Sequence, residues 1–244
     1  MCDDAEVAGT EKQTFEDFVR NALKGDGRKV VVFDADGTLW QGDLGERHLL
    51  DVGASGLVRP TDGGQSAHQR YMSACAQDVE RGYRLGTQLL EGLEETQVYE
   101  SCERTWRGYE SLLFSYVRPT FTLLRDLGAE VWIVSASHRW VIEVAVRDLG
   151  VPSHQIIAGD LNVERGCLTS HVVEPFPNGE GKARAIEKRL QIAPRIAFGN
   201  SRHDAPMMHC SDAGVLIWDA TSHHPDLAAD AVKESWFVHK ARVS

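Results

Sequence analysis

The sequence predicts an α/β fold in which a doubly wound parallel sheet carries a helical insertion after its first strand. Short apolar, β-branched runs alternate with segments of helical periodicity, as they do when helices connect parallel strands. Four of these runs end abruptly in polar residues, which is typical of the binding edge of such a sheet. Residues 44–117, by contrast, show helical spacing alone.

The first elements are a helix and a strand. Residues 11–24 place Phe15, Phe18 and Leu23 at helical spacing, which predicts a short amphipathic helix. The run KVVVF at 29–33 is too short for a helix and predicts the first buried strand. Further strands are predicted at 131–134 (VWIV), 155–157 (QII), 195–198 (RIAF) and 214–218 (GVLIW).

The segments between these strands have helical patterns. They are PTFTLLRDLG (119–128), HRWVIEVAVRDLG (138–150) and GKARAIEKRL (181–190). Residues 161–175 alternate apolar and polar side chains around Glu164-Arg165-Gly166, which predicts a β-hairpin. We therefore expect a core domain made of residues 1–43 and 118–244, and a helical cap made of residues 44–117.

The composition excludes several classes of protein. With 36 acidic against 26 basic residues the net charge is −10, which disfavours nucleic acid as a partner. The sequence has no apolar run of the roughly 20 residues that a membrane span needs, and no signal-peptide pattern at its start, so we expect a cytoplasmic protein without a membrane partner. Five cysteines without a CxxC pair predict free, buried thiols. The sequence does not indicate an oligomeric state.

The chemistry of the chain begins where the first strand ends, at Asp34-Ala35-Asp36. Two carboxylates two residues apart suit divalent metal binding, or nucleophilic attack by one carboxylate while the other handles a proton. An Asp-Gly turn after a strand is also ordinary structural punctuation, so this motif alone leaves both interpretations open.

Further motifs favour the catalytic interpretation. VVFDADGTLW, the serine after VWIV, the lysine in GEGKA and FGNSRHD occur in an order that resembles the haloacid dehalogenase superfamily of aspartyl-phosphate hydrolases. The segments VRPTFTLLRDLGAEVWIVSAS and LGVPSHQIIAGDLNVERGCLTS are similar to its phosphoserine-phosphatase-like branch, which has a small helical cap. The resemblance covers roughly residues 29–218 and implies a phosphomonoester phosphatase.

The resemblance also implies a role for each motif residue. Asp34 is the expected nucleophile and Asp36 the acid and base, while Lys182 offsets charge. Thr38, Ser135 and the backbone N–H of Ala136 are expected to bind phosphate, the latter two where a strand becomes a helix N-terminus. Mg2+ is the implied cofactor, with Asp34, the carbonyl of Asp36, Asn200 and, through water, Asp204 as its ligands. The family has Asp at the position of Asn200, so a weaker magnesium affinity is expected.

The substrate is expected to be a small phosphomonoester. Phosphoserine phosphatases hold the substrate amine with a carboxylate where this chain has Asp43, with Glu46 one turn later, and Trp40 is expected to border the site. Their cap arginine matches Gly86, with Arg84 only nearby, which disfavours phosphoserine. These residues favour phosphoethanolamine or phosphocholine over phosphoserine, unless Asp43 only caps a helix.

Other activities use the same fold. A phosphotransferase of the superfamily would need the same residues, and a catalytically weakened binding protein would be consistent with Asn200. A dehalogenase does not use the second carboxylate, so the presence of Asp36 disfavours it.

Overall fold

The computed structural model describes residues 13–61, 63–219 and 225–243. The helices of these residues are α1 (Phe15–Ala22), α2 (Leu44–Ala54), α3 (Ala67–Gln77), α4 (Val79–Gln88), α5 (Glu95–Arg107), α6 (Val117–Asp126), α7 (Arg139–Val146), α8 (Glu180–Leu190), α9 (Ala205–His209) and α10 (Pro225–Lys233). The strands are β1 (Val30–Phe33), β2 (Glu130–His138), β3 (Ile156–Gly159), β4 (Leu161–Glu164), β5 (Cys167–Val172), β6 (Ile196–Gly199), β7 (Gly214–Trp218) and β8 (Phe237–Lys240).

Six strands form one parallel sheet in the order β3-β2-β1-β6-β7-β8. At its centre Phe33 of β1 pairs with Ile133 of β2 and with Phe198 of β6. Strands β4 and β5 form the predicted hairpin as a separate antiparallel pair. The predicted fold class, a doubly wound parallel sheet, is confirmed.

The sheet is buried on both faces because alternate residues of each strand point in opposite directions. Val31 and Phe33 belong to the larger apolar cluster, which extends to α1, α6, α7 and the helical insertion. Val30 and Val32 belong to the second cluster, which includes residues of α8, α9 and α10. The central strand therefore has no solvent-facing side, and its polar residues appear only where it ends.

The segment between β1 and β2 is helical, with α2, α3, α4 and α5 in succession. Helices α3 and α4 make the closest contact within it, at Gly82: a Cβ atom there would lie 2.2 Å from Cys75 Sγ. Asp43 caps α2, since its Oδ1 accepts a hydrogen bond of 2.7 Å from the Glu46 N–H. This cap places the start of α2 directly beside the end of β1.

Some elements differ from the sequence prediction. Strand β2 continues to His138 instead of ending at Val134, and α9, α10 and β8 were not predicted. Strand β8 is half exposed at the edge of the sheet, so it lacks the continuous apolar run that identifies a buried strand. Residues 11 and 12 of the first predicted helix lie outside the described residues.

Two further expectations concern cysteines and membranes. The cysteines at 75, 102, 167 and 210 are free, as predicted, but Cys102 alone among them is fully buried. The other three are half-buried because their helices and hairpin lie at the periphery of the apolar clusters. Across the described residues, the helices are too short or too polar for any of them to span a bilayer.

Candidate active site

A cavity of about 530 Å3 lies at the carboxyl edge of the sheet, between the strand ends and the helical insertion. Six carboxylates line it: Asp34, Asp36, Asp43, Glu46, Asp204 and Asp219. Its other lining residues are Gly37, Gly42, Tyr83, Ser135, Ala136, Ser137, Asn178, Lys182, Asn200, Ser201 and His203. Most of the motif residues predicted from the sequence therefore meet in one place.

Asp34 is the first residue after β1 and is 6% exposed. Its Oδ1 accepts a hydrogen bond of 2.5 Å from Lys182 Nζ, and its Oδ2 accepts one of 2.9 Å from Thr38 Oγ1. Burial and the charge of Asp204 raise the pKa of Asp34 to about 7, against the opposing effect of Lys182. The ammonium group thus favours the charged form of a carboxylate in a desolvated position.

Lys182 lies in the first turn of α8 and is 2% exposed. Its ammonium contacts Asp204 Oδ1 at 2.6 Å as well as Asp34. These two carboxylates raise the pKa of Lys182 despite its burial, so the lysine stays charged. Lys182 is therefore a buried, charged residue and not a solvated surface lysine.

Asp204 follows β6 and organises the loop that contains Asn200. Its Oδ2 accepts hydrogen bonds from the N–H of Asn200 (3.0 Å) and from the N–H and Oγ of Ser201 (both 2.9 Å). Lys182 and these donors lower the pKa of Asp204, although burial opposes them. Asp204 thus serves as an acceptor for its own loop and as the second partner of Lys182.

Asp36 is held by three donors from three different segments. Its Oδ1 accepts from Trp40 Nε1 (2.8 Å) and from the N–H of Leu44 (2.7 Å), and its Oδ2 accepts from Ser137 Oγ (2.6 Å). Burial raises the pKa of Asp36, while the three hydrogen bonds oppose this rise. The second carboxylate is therefore fixed in orientation and partly biased toward its protonated form.

Ser135 and Ala136 line the cavity. The prediction that they lie at a helix N-terminus is wrong. Strand β2 continues through both, and α7 begins at Arg139 with His138 as its N-cap. The hydroxyl oxygen of Ser135 accepts a hydrogen bond of 3.1 Å from the Ser137 N–H, which leaves the Ser135 hydroxyl hydrogen free to donate elsewhere. The Ser135 side chain and the backbone of β2 therefore form this part of the cavity wall, and the first turn of a helix does not.

Two predicted ligand contacts have other roles in the structure. Thr38 is completely buried, does not line the cavity and donates to Asp34, so in this structure its hydroxyl supports Asp34, and its contact with a phosphate oxygen stays a prediction. Trp40 is also completely buried and packs edge-on against Trp106. Because its indole N–H donates to Asp36, Trp40 fixes that carboxylate and does not border the site.

The carboxylates expected to contact a substrate amine both line the cavity. Asp43 caps α2 and faces the cavity at the same time, and burial together with the charge of Asp36 raises its pKa well above the usual value. Glu46 Oε1 lies 2.8 Å from His68 Nε2 of α3. Helix α3 thus holds the carboxylate of Glu46 at the cavity wall.

Several lining residues were missed from the sequence, among them Ser137, Tyr83, Asn178 and Asp219. Asn178 is 7% exposed, and its Oδ1 has no hydrogen-bond partner within the described part of the chain. A buried acceptor without a donor is costly, so a ligand donor at this position would be favourable. In the sequence, the position of Asn178 four residues before Lys182 was the one indication that it could belong to the site.

The oxygen atoms around Asn200 fit a cation. In one orientation of its amide, Asn200 Oδ1 faces the backbone oxygen of Asp36 and Asp204 Oδ2; in the other, its nitrogen donates to them at 3.2 and 3.3 Å. Oxygen atoms that converge in this way suit Mg2+, whereas the turned amide satisfies the same atoms through its own hydrogens without an ion. Asn200 can therefore serve a metal-bound and a metal-free form.

A family model and one characterised relative match this chain. The model of haloacid dehalogenase-like hydrolases matches residues 31–209. The phosphoserine phosphatase SerB2 of Mycobacterium tuberculosis is 28% identical over 214 residues, which are 82% of this chain and 49% of the relative. The chain thus spans about half the length of that relative.

Solved structures share the fold. A protein of unknown function from Bordetella pertussis Tohama I superposes with a TM-score of 0.76 at 17% identity, over 88% of this chain and 99% of the other. A phosphoserine phosphatase with a phospho-aspartyl intermediate analogue superposes with a TM-score of 0.58 at 18% identity, over 87% and 93% of the two chains. At these identities the likeness is one of fold.

Proposed function

Because this chain belongs to the haloacid dehalogenase-like hydrolase family, we propose that it is a phosphatase that hydrolyses a small phosphomonoester through an aspartyl-phosphate intermediate. One observation carries the proposal: Asp34 is buried against Lys182, and Asp36 lines the same cavity two residues later. A nucleophile and a separate proton donor at one strand end are what this two-step reaction requires.

The residues divide the reaction between them. Asp34 attacks phosphorus, so that a bond to its carboxylate oxygen forms as the ester P–O bond breaks. Asp36 gives its proton to the departing alkoxide and then removes a proton from the water that hydrolyses the intermediate. Ser135 and the N–H of Ala136 bind phosphoryl oxygens, and Lys182 reduces repulsion between Asp34 and the phosphoryl group.

Mg2+ is the proposed cofactor. Asp34, the carbonyl of Asp36 and the Asn200 side chain would hold it, with Asp204 acting through water, and its charge would stabilise the phosphoryl oxygens during transfer. The converging oxygens around Asn200 support this assignment.

We propose that the substrate carries an amine or quaternary ammonium group and lacks a carboxylate. Six carboxylates line the cavity, Lys182 is already paired with two of them, and no arginine is among its described lining residues. Arg84, the nearest alternative in sequence, pairs instead with Glu174 and Glu80 outside the cavity. Such a wall attracts a cation and would repel a substrate carboxylate, so phosphoethanolamine or phosphocholine fits better than phosphoserine.

The test compares these esters with a neutral polyol phosphate. We expect kcat/KM to be highest for the cationic esters, to vanish with EDTA and to return with Mg2+. Asp43→Asn should reduce kcat/KM for the cationic esters more than for the neutral one. Equal values for all esters, or an equal loss on each, would refute the amine specificity, and metal-independent turnover would refute the cofactor.

A phosphotransferase would use the same residues, and a competing acceptor distinguishes it. If added ethanolamine or glycerol captures the phosphoryl group in place of water, transfer and not hydrolysis is the activity. A protein that binds these esters and Mg2+ without turnover would instead be a binding protein that retains the fold.

A further inference from the structure

We infer that Ser137 is a positioning residue that holds the proton-bearing oxygen of Asp36 toward the leaving group. This inference rests on the proposed function and adds a residue to its machinery. Ser137 is 6% exposed, lines the cavity and donates a 2.6 Å hydrogen bond to Asp36 Oδ2.

The other contacts of Asp36 determine which of its oxygens can be protonated. Oδ1 faces two groups that can only donate, Trp40 Nε1 and the backbone N–H of Leu44. A proton on Oδ1 would therefore lie against two other hydrogens. Oδ2 faces only the hydroxyl of Ser137 among the described contacts, and an oxygen that accepts this one hydrogen bond can still carry a proton of its own. The acidic proton of Asp36 thus belongs on Oδ2.

The hydrogen bond between Ser137 and Asp36 persists through the proposed first step. As the bond from Asp34 to phosphorus forms and the ester P–O bond breaks, Oδ2 passes its proton to the departing oxygen. Ser137 donates to Oδ2 before this transfer and continues to donate to the new carboxylate after it. The hydroxyl keeps Oδ2 in one place through both protonation states.

Ser137 also links proton transfer to phosphate binding. Its backbone N–H donates to Ser135 Oγ at 3.1 Å, so the same residue orients the hydroxyl proposed to bind a phosphoryl oxygen. The extension of β2 beyond Val134 brings both serines to the cavity wall.

Gly45 of α2 gives independent access to this contact. A Cβ atom at Gly45 would lie 2.4 Å from Ser137 Oγ and 3.0 Å from Ser137 Cβ. In Gly45→Ala the serine hydroxyl must rotate away from the new methyl group, and it then loses Asp36. Two substitutions on different elements, Ser137→Ala and Gly45→Ala, therefore remove the same hydrogen bond.

The experiment compares two esters of similar size, one whose leaving group needs a proton and one whose leaving group does not. The p-nitrophenolate ion leaves unprotonated, whereas the alkoxide of benzyl phosphate needs the acid. We expect each variant to lower kcat/KM for benzyl phosphate by about tenfold or more and for p-nitrophenyl phosphate by less than about threefold. Ser115→Ala, a remote serine that contacts the carbonyl of Arg242, is the matched control and should leave both values unchanged.

Each other outcome is decisive. Equal losses on both esters, or no loss on either, in variants that bind Mg2+ and melt like the wild type, would overturn the role of Ser137 while leaving the phosphatase assignment intact. If the wild type hydrolyses neither of these esters, and neither phosphoethanolamine nor phosphocholine, the proposed function itself fails, and this inference fails with it.

Discussion

At the scale of single residues, the site depends on an imbalance of buried charge. One ammonium, that of Lys182, lies within 2.6 Å of two carboxylates, Asp34 and Asp204. Removing one carboxylate leaves a balanced ion pair, whereas removing the lysine would leave two buried anions side by side. Asp34 is therefore the member of this group that can be neutralised with least harm to the fold, because Asp204 also accepts hydrogen bonds from its own loop.

The first prediction concerns Asp34→Asn. We expect kcat to fall by at least about 1000-fold, because an amide cannot form the phospho-enzyme. The melting temperature should stay equal or rise, since the Lys182–Asp204 pair remains. Phosphate release and thermal melting of the same preparation check both parts. Substantial residual turnover would contradict covalent catalysis by Asp34.

The second prediction concerns Asn200→Asp. A charged ligand in place of the amide should lower the Mg2+ dissociation constant by about fivefold, measured by calorimetric titration without substrate. Without metal the variant should melt at a lower temperature, because a carboxylate cannot donate to the Asp36 carbonyl and Asp204 Oδ2 as the turned amide of Asn200 does. Asn162→Asp, on the exposed hairpin, adds the same charge elsewhere and serves as the control. An unchanged dissociation constant would place the metal away from Asn200.

At the scale of secondary structure elements, the helical insertion depends on one close helix contact. A Cβ atom at Gly82 of α4 would lie 2.2 Å from Cys75 Sγ and 2.8 Å from the backbone of α3. Gly53 of α2 has no such neighbour, since its nearest atoms would be 3.9 Å away. Both residues are helical glycines, so they form a matched pair.

We predict opposite effects on stability from alanine at these two positions. Gly82→Ala should destabilise the protein by about 1–3 kcal/mol, because the backbone of α3 must move. Gly53→Ala should stabilise it by about 0.5–1 kcal/mol through higher helix propensity. Urea unfolding gives both values. A neutral Gly82→Ala would show that α3 and α4 do not pack as described.

The elements that were predicted correctly are those with strong local patterns. Val30–Phe33 of β1 and Gly214–Trp218 of β7 are continuous apolar runs, and the hairpin has a Gly at its turn. The end of β2 was placed too early because Ser135 and Ser137 are polar, and polar residues after an apolar run normally indicate a turn. Here they remain extended because both face the cavity.

The site was predictable where chemistry lies next to a strand end and unpredictable where it comes from elsewhere. Asp34, Asp36 and Asp204 follow strands directly, so their proximity was inferred from topology. The roles of Trp40 and Thr38 depend on which way a buried side chain turns, which no spacing encodes. Asn178 belongs to a loop before α8, and its unpaired oxygen is visible only in three dimensions.

At the scale of the whole molecule, a buried chain of hydrogen bonds joins the insertion to the sheet. The Val141 N–H donates to His138 Nδ1 (3.3 Å), so the His138 hydrogen lies on Nε2, 2.9 Å from His48 Nδ1. His48 Nε2 then donates to Ser101 Oγ (2.7 Å), and Ser101 donates to the carbonyl of Val98 (2.7 Å). His138, His48 and Ser101 each accept one hydrogen bond and donate one in this series. Each imidazole therefore carries a single N–H hydrogen and is neutral.

Protonation of either histidine breaks this series of hydrogen bonds, because a protonated imidazole has no nitrogen left to accept. Burial lowers the pKa of His48 to about 4, although Asp51 opposes it, and lowers the pKa of His138 well below its usual value. Between about pH 4 and 6.5, His48 and His138 are protonated in the unfolded protein but remain neutral in the folded protein. Their contribution to stability is therefore complete above pH 6.5 and is lost as pH falls toward 4.

The last prediction is that the free energy of unfolding decreases on acidification with a component of up to about 1.4 kcal/mol per pH unit for each of the two histidines. Other groups oppose it, since burial raises the pKa of Asp34, so the comparison must be made between variants. His48→Gln should be less stable than the wild type at pH 7.5 but should lose less on going to pH 5. His171→Gln, an exposed histidine on β5, leaves the buried chain intact and should follow the wild type. Urea unfolding at the two pH values decides: if His48→Gln and wild type lose the same amount, the chain does not couple the insertion to the sheet through neutral histidines.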